Sequence, residues 1–274
     1  MRLAVVGIAM IGLVQQASAA DYGAPVLRGS SAWESGVPAY RDWSGFYAGG
    51  HAGYSSGTAD FGDTGSGLIA DILRLTVIED EFDVSGWISP EGHGNGTPIG
   101  FFMGYNWQSE DTVFGIDVTY SRTSISAGGS DALARNITTS GGTNYDVFAS
   151  ATMMAKVTDI LSMRARGGVT FGSFMPYGTL GVAVGRVDIV RSAAVTTIEY
   201  DDSDPPLVVS DVTDGASDSK KGAFAFGLSA GLGFDWEVFP RMFLRGEYEY
   251  VAFAAVQDVS ISIHTVRGGV GVRF

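Results

Sequence analysis

The sequence predicts an all-β protein, an eight-stranded antiparallel transmembrane β-barrel of the up-and-down type. Three observations support this prediction: apolar residues recur at every second position in eight segments, short and long connections alternate between those segments, and no uninterrupted run of about 18 apolar residues exists. Of the 274 residues, 45% are apolar and none is cysteine. High apolar content without a helical membrane run indicates strands, and the lack of cysteine excludes a fold that depends on disulfides.

The first 20 residues have the pattern of an export signal. Arg2 supplies a positive charge and residues 3–14 are apolar. A small-residue cleavage site follows, either residues 17–19 (ASA) or residues 18–20 (SAA). We therefore expect residues 1–20 to be a signal peptide, residues 21–42 to be a periplasmic lead, and residues 43–274 to form the barrel.

Each of the eight predicted strands has one apolar face and one small or polar face. In 222–237, Phe224, Leu228 and Trp236 share one face, whereas Gly231 and Asp235 share the other. This period of two is typical of strands with different surroundings on their two sides. The predicted strands are 44–55, 99–108, 114–120, 161–171, 175–190, 222–237, 242–251 and 264–274.

The two faces also decide which side of the barrel meets lipid. A soluble barrel would bury the apolar face, but seven large or apolar residues on one strand are too many for the lumen of an eight-stranded barrel. The opposite face, with glycine, serine and charges, would make a poor dry core. The sequence therefore predicts apolar side chains toward lipid and small or charged side chains toward the lumen.

Nine charged residues fall on the predicted inward faces. They are Asp117, Arg164, Arg166, Asp235, Arg245, Glu247, Glu249, Arg267 and Arg273. Because unpaired charges in a confined interior are costly, we expect these five cations and four anions to pair across a narrow lumen. The predicted result is a polar plug, and the alternative is a selectivity ring for a small solute.

The connections divide the barrel into two unlike ends. Short turns are predicted near 109–111, 172–174 and 238–241, and long outer loops at 57–96, 123–155 and 191–220. The three loops carry net charges of −7, −1 and −5. In a membrane barrel the turns are periplasmic and the loops grow outside, so we expect periplasmic termini and acidic extracellular loops.

Aromatic residues near the strand ends predict two interfacial girdles. The girdle at the turns is Trp107, Phe114, Phe171, Trp236 and Phe243, and the opposite one is Tyr54, Tyr120, Tyr250 and Phe253. At the carboxyl end, Val270 and Val272 alternate up to an aromatic Phe274. This pattern resembles the signal by which the barrel-assembly machinery receives outer-membrane proteins.

Four motifs together resemble a known family. They are residues 43–54 (WSGFYAGGHAGY), 176–183 (PYGTLGVA), 243–248 (FLRGEY) and 264–274 (HTVRGGVGVRF). In this order they are similar to the small eight-stranded outer-membrane proteins of alphaproteobacteria, the "porin family", which resemble the transmembrane domain of outer-membrane protein A. The resemblance implies a location in the Gram-negative outer membrane and supplies no catalytic residues.

Composition and resemblance together limit the function classes. The net charge of −13 argues against nucleic acid as a partner. We expect a monomeric structural barrel, not an enzyme, with no cofactor or metal and with outer-membrane lipid and lipopolysaccharide as partners. The alternative is a narrow porin or an uptake protein for a small ligand such as haemin, for which His51, His93 and His264 are the available histidines.

Overall fold

The computed structural model describes residues 41–62, 64–87, 91–201, 203, 205–256 and 259–274. The predicted signal peptide, and the predicted lead up to residue 40, lie outside the described residues. The strands are β1 (Gly45–Asp60), β2 (Glu91–Gly96), β3 (Ile99–Ser109), β4 (Thr112–Thr138), β5 (Asn144–Val169), β6 (Phe174–Tyr200), β7 (Val208–Phe239), β8 (Met242–Val256) and β9 (Val259–Arg273). The helices are α1 (Thr64–Ile72), α2 (Val77–Phe82) and a 3-10 helix (Val84–Trp87).

The strands form one antiparallel sheet that closes on itself. The ring order is β1, β3, β4, β5, β6, β7, β8 and β9, and β9 pairs again with β1. β2 does not add a ninth strand to the ring. It lies between β1 and β4, as β3 does, and it pairs with the part of β1 that follows the part paired with β3. Thr97 and Pro98 separate β2 from β3, and a proline has no N–H to donate to the ladder. The predicted eight-stranded barrel is confirmed.

Three short connections lie at one end of the barrel, which we call the turn end. Glu110 in the β3–β4 turn has φ of 53°, Gly172 in the β5–β6 turn has 63°, and Arg241 in the β7–β8 turn has 68°. Tight hairpins between twisted strands require a residue whose backbone has a positive φ angle. All three turns lie where the sequence predicts them. The helices lie at the opposite end, which we call the capped end.

The stretches predicted as loops are largely ordered secondary structure. Most of 123–155 and 191–220 continues β4, β5, β6 and β7, so that the connections left are residues 139–143 and 201–207. Among the described residues of the three stretches, helices occur only in 57–96, which also includes the end of β1 and all of β2. The loop prediction was wrong for the other two stretches because the cross-strand ladders continue through them.

The polarity of both barrel faces reverses partway along the strands. On β4 the buried residues change from Asp117 and Thr119 to Ile125, while the outward residues change from Tyr120 to Arg122. β5 and β9 show the same reversal. Toward the turn end the barrel is apolar outside and polar inside, and toward the capped end it resembles a soluble protein.

A helical cap covers the apolar interior at the capped end. The cap segment, residues 61–62 and 64–87, buries Phe61, Ile69 and Val84 against inward side chains of the strands. Its helix α2 begins after Thr76, whose hydroxyl accepts a hydrogen bond from the amide of Glu79 at 3.3 Å. Within the described residues, no helix has the length and apolar character required to cross a bilayer.

Two predicted girdle positions face the lumen. Phe243 is 1% exposed and Phe253 is 5% exposed, whereas Trp107, Phe114 and Trp236 are half exposed on the outward face. Phe243 and Phe253 lie on the same face of β8 as Arg245, so their positions follow from the period of two. The girdle prediction for these two residues was based on their closeness to a strand end and not on the period of two.

Candidate functional site: the ionic lumen

Eight of the nine predicted lumen charges form one connected network. Arg164, at its centre, donates to Glu247 at 2.5 Å, to Glu249 at 3.3 Å and also to Asp117. Arg245 joins Asp117 to Asp235, at 2.9 Å from each. The remaining contacts join Arg166 to Asp235 and Arg267 to Glu247 and Glu249. Four arginines thus face four carboxylates, and the network is neutral.

The network crosses the full width of the lumen. Asp117 is on β4 and Arg245 is on β8, four places apart in the eight-membered ring and therefore diametrically opposite. Arg164 on β5 and Glu247 on β8 are three places apart in the ring, and their contact also spans the lumen. Each of these side chains is at most 4% exposed. The sequence indicates which residues face inward, because charges at every second position alternate with large apolar residues.

Two tyrosines that the sequence analysis did not single out complete the network. The Tyr47 hydroxyl donates to Asp117 and the Tyr177 hydroxyl donates to Glu247, each at 2.8 Å. Inward glycines make room for these rings: a Cβ on Gly233 would lie 2.7 Å from the Tyr177 hydroxyl, and a Cβ on Gly104 would overlap the Tyr47 hydroxyl. The period of two assigns both tyrosines to inward faces, but a tyrosine alone does not reveal a carboxylate partner.

The ninth predicted charge, Arg273, belongs to a separate cluster at the turn end. It donates to Glu237, which also accepts from Arg41, and its guanidinium stacks 4.4 Å from the Trp43 ring centroid. Glu237 was not predicted as a lumen residue, although it follows the inward Asp235 by two positions. Arg41 precedes the first strand, so no strand periodicity could indicate it.

An aromatic layer separates this cluster from the main network. Buried Trp43, Tyr47, Phe102 and Phe243 pack together with Val113 and Met175. Arg245 lies 4.0 Å from the Phe102 ring centroid, so cation–π contact joins the aromatic layer to the network. The lumen is therefore filled by successive ionic, aromatic, ionic and apolar layers from the turn end to the cap.

The role that this network can serve is a structural one. Each carboxylate already contacts at least one guanidinium, and the hydroxyls of Thr119 and Ser229 donate to Asp117 and Glu249. Broken pairs in such an interior would leave uncompensated charge. In the part of the chain that the structure describes, no group of three or more His, Asp or Glu side chains is arranged to hold a metal ion.

The three histidines are not brought together. His51 is buried in the lumen, where its Nε2 lies 3.2 Å from the carbonyl oxygen of Tyr120. His93 and His264 are exposed on the outward face, on strands either side of β1. The barrel wall therefore separates His51 from the other two histidines.

The carboxyl-terminal residues Val270, Val272 and Phe274 point outward. They are 48%, 39% and 77% exposed. The amide of Phe274 donates to the carbonyl oxygen of Phe46 at 2.9 Å, and β9 pairs with β1 along fourteen consecutive positions to close the ring. The three side chains therefore lie on the lipid side of the closing strand.

The chain is similar to known outer-membrane proteins. The family "Outer membrane protein beta-barrel domain" matches residues 9–274. A 22 kDa outer membrane protein of Rhizobium leguminosarum bv. viciae is 26% identical over 254 residues, which cover 89% of this chain and 83% of the relative.

Solved structures that match this chain include outer-membrane proteins. OprG of Pseudomonas aeruginosa is 14% identical with a TM-score of 0.38, over 84% of this chain and 96% of that one. Ail of Yersinia pestis, solved with the heparin analogue sucrose octasulfate, is 13% identical with a TM-score of 0.32, over 84% and 99%. Because the family model matches nearly the full length of this chain, the chain belongs to the outer membrane protein β-barrel domain family.

Proposed function

We propose that this protein is a closed, structural barrel of the outer membrane, and that it is not an enzyme. The observation that supports a closed lumen best is the Arg245–Asp117 hydrogen bond, which joins opposite walls of the barrel at 2.9 Å. The aromatic layer and the cap segment fill the lumen on either side of it. Its role is to occupy and stabilise the envelope as a monomer.

Bilayer conductance tests the closed lumen against the porin alternative. We expect the purified, refolded protein to add no stable conductance steps to a planar bilayer, whereas a general porin in the same lipid gives them. Migration of the unboiled protein as a folded species on a gel verifies that the sample is folded. Large, stable channels from the folded protein would overturn the closed-lumen proposal.

In this proposal the termini are periplasmic and the capped end is extracellular. The capped end carries most of the negative charge, including exposed Asp60, Asp71 and Glu91 on or beside the cap and Asp211 and Asp214 on β7. Divalent cations would bridge these carboxylates to anionic lipopolysaccharide. Neutralising the cap carboxylates should then change the sensitivity of cells to chelators, and unchanged sensitivity would contradict the bridging role.

We also propose that Val270, Val272 and Phe274 are read by the barrel-assembly machinery before the ring closes. Exposed edge strands are templates for pairing, and the last strand is such an edge until it meets β1. Phe274→Ser should lower the amount of assembled protein in cells and leave refolding into detergent unchanged. Equal loss in both assays would indicate a stability defect instead, and no loss in cells would contradict the signal.

A further inference from the structure

A polar cleft opens on the outward face of the barrel, toward the capped end. It borders the apolar outward surface of the turn-end half, which we call the apolar belt and which includes Phe114, Leu161, Leu180 and Leu232. The cleft lies over β4, β5 and β6 and has a volume of about 420 Å³. Its lining includes three cations and two carboxylates, namely Arg122, Lys156, Arg186, Asp159 and Asp188. The cleft is separate from the lumen, because these side chains are on the opposite face from the ionic network.

Irregularities in three consecutive ladders coincide with this cleft. The β4–β5 register shifts between Arg122 and Ile125, the β5–β6 register between Val157 and Asp159, and the β6–β7 register between Val187 and Ile189. Each shift interrupts the regular pairing at the same height on the barrel. Bulges of this kind bend strands and redirect side chains, and they are common next to functional sites.

The two carboxylates in the cleft are already engaged. Asp159 accepts hydrogen bonds from the hydroxyls of Tyr120 at 2.7 Å and Thr158 at 2.8 Å. Asp188 accepts from the amide of Gly222 at 2.6 Å. Among the described residues, no carboxylate oxygen lies within 4.0 Å of the charged nitrogens of the three cations. The cleft therefore holds three cations against two carboxylates, a net charge of +1 in a chain whose net charge is −13, and Asp159 lies between Arg122 and Arg186.

The position of the cleft indicates what kind of anion it meets. Arg122, Asp159 and Arg186 form one cross-strand row, and the next outward row toward the turn end is Tyr120, Leu161 and Val184. Two residues along a strand correspond to about 7 Å. Arg122 and Arg186 thus lie one step beyond the apolar belt, at the height where lipid headgroups begin, and Lys156 lies in the next row toward the capped end.

We propose that this cleft binds the phosphate of an anionic lipid headgroup, in the leaflet nearer the capped end. The forked guanidinium groups of Arg122 and Arg186 suit paired hydrogen bonds to phosphate oxygens, and Lys156 adds a third charge. The acyl chains of the same lipid run over the row of Tyr120, Leu161 and Val184. The inference rests on the membrane placement of the proposed function and is independent of the closed lumen.

Lipid selectivity measured by electron paramagnetic resonance tests this site. The full-length mature protein is reconstituted in phosphatidylcholine vesicles with spin-labelled phosphatidic acid or, as reference, spin-labelled phosphatidylcholine. We expect the folded protein to associate preferentially with phosphatidic acid. The substitution Arg122→Gln combined with Arg186→Gln should reduce that preference about two- to fivefold, the range for ion pairs at exposed sites.

Controls separate this site from general charge effects and from free phosphate. Arg74→Gln removes an exposed cation from the cap segment and should leave the preference unchanged. Inorganic phosphate should not displace the labelled lipid, because the lipid is also held by its acyl chains. The proposal is overturned if the wild-type protein shows no preference, if the double variant keeps it, if Arg74→Gln loses it equally, or if inorganic phosphate abolishes it.

Discussion

Arg245 donates from Nη1 to Oδ2 of Asp117 at 2.9 Å although the two residues are 128 positions apart. Each residue also has a second partner of opposite charge, Asp235 for Arg245 and Arg164 for Asp117. Opposite walls of the barrel are thus held together through side chains, in addition to the ladders around the wall. A break at any one member leaves charges in the interior without compensation.

The network should therefore respond strongly to the loss of its central cation. Arg164→Leu removes the partner of three carboxylates, and we expect the free energy of unfolding to fall by about 3–5 kcal/mol, as for other broken buried ion pairs. Urea unfolding in lipid vesicles, followed by tryptophan fluorescence, measures this change. Arg74→Leu on the exposed cap surface is the matched control and should shift the value by less than about 0.5 kcal/mol. An unchanged unfolding free energy for Arg164→Leu would mean that the ion pairs contribute no net stability.

Glycine should be required where the tyrosines of the network approach the wall. In Gly104→Ala the new methyl group would overlap the Tyr47 hydroxyl and the carbonyl oxygen of Ile116, so a loss of about 1–3 kcal/mol is expected. Gly67→Ala in α1 has open space around it, and alanine there should stabilise the helix by about 0.5–1 kcal/mol. Unfolding measurements on the two variants should give opposite signs, and equal effects would count against the close packing of Tyr47.

The boundary between the two outward surfaces should be detectable by placing the same charge on each side of it. Leu232 is 69% exposed within the apolar belt, and Val209 is 62% exposed on β7 toward the capped end. Leu232→Arg should lower stability in vesicles by about 2–4 kcal/mol if it lies near the bilayer centre, because the charge must enter lipid. Val209→Arg should leave the stability nearly unchanged, because Val209 lies on the surface that meets water. Similar losses in both variants would place the boundary elsewhere.

The cap segment should loosen in acid. Glu81 on α2 accepts hydrogen bonds from the amide of Ser140 at 2.8 Å and from its hydroxyl at 2.6 Å. These bonds hold the pKa of Glu81 below its usual value of 4.5. A carboxylate with a lowered pKa stabilises the folded state above its unfolded pKa, and this contribution is lost as the pH falls through the lowered value.

Hydrogen exchange of the α2 amides, corrected for the intrinsic rate, measures this loosening. Protection should decrease as the pH is lowered below about 4.5. In Glu81→Gln the decrease should be smaller, because the titrating group is absent, and Asp71→Asn on α1 should behave like the wild-type protein. A pH response of Glu81→Gln equal to that of the wild-type protein would exclude Glu81 as its cause.

The sequence predicts the membrane half of the barrel well because its two faces differ so strongly. Alternation of Phe224, Leu228 and Leu232 with glycine and Asp235 assigns each side chain to lipid or lumen without any structure. The same alternation assigns Arg164 and Glu247 to the lumen. It does not give the partners, because pairing across the lumen depends on the stagger of strands that are far apart in the chain.

The other half of the barrel was harder to predict because its inward residues are small. On β5 the buried residues beyond the membrane half include Ala149, Ala151 and Ala155, which alternate with Ser150 and Thr152 and give little contrast in hydropathy. The irregularity at Thr158 also changes which parity faces inward, from even positions such as Ser162 to odd positions such as Val157. A constant period of two fails across such an insertion.

The length of β6 and β7 determines how far this protein extends from the lipid. From Arg186 to Tyr200, and from Val208 to Gly222, each strand has 15 residues beyond the apolar belt. At about 3.3 Å per residue this is roughly 50 Å of strand, or nearly 40 Å along the membrane normal for a tilt of about 40°. The strand ends at Tyr200 and Val208 therefore stand well clear of the headgroups, and a rigid ladder rather than a flexible tether fixes their distance from the bilayer surface.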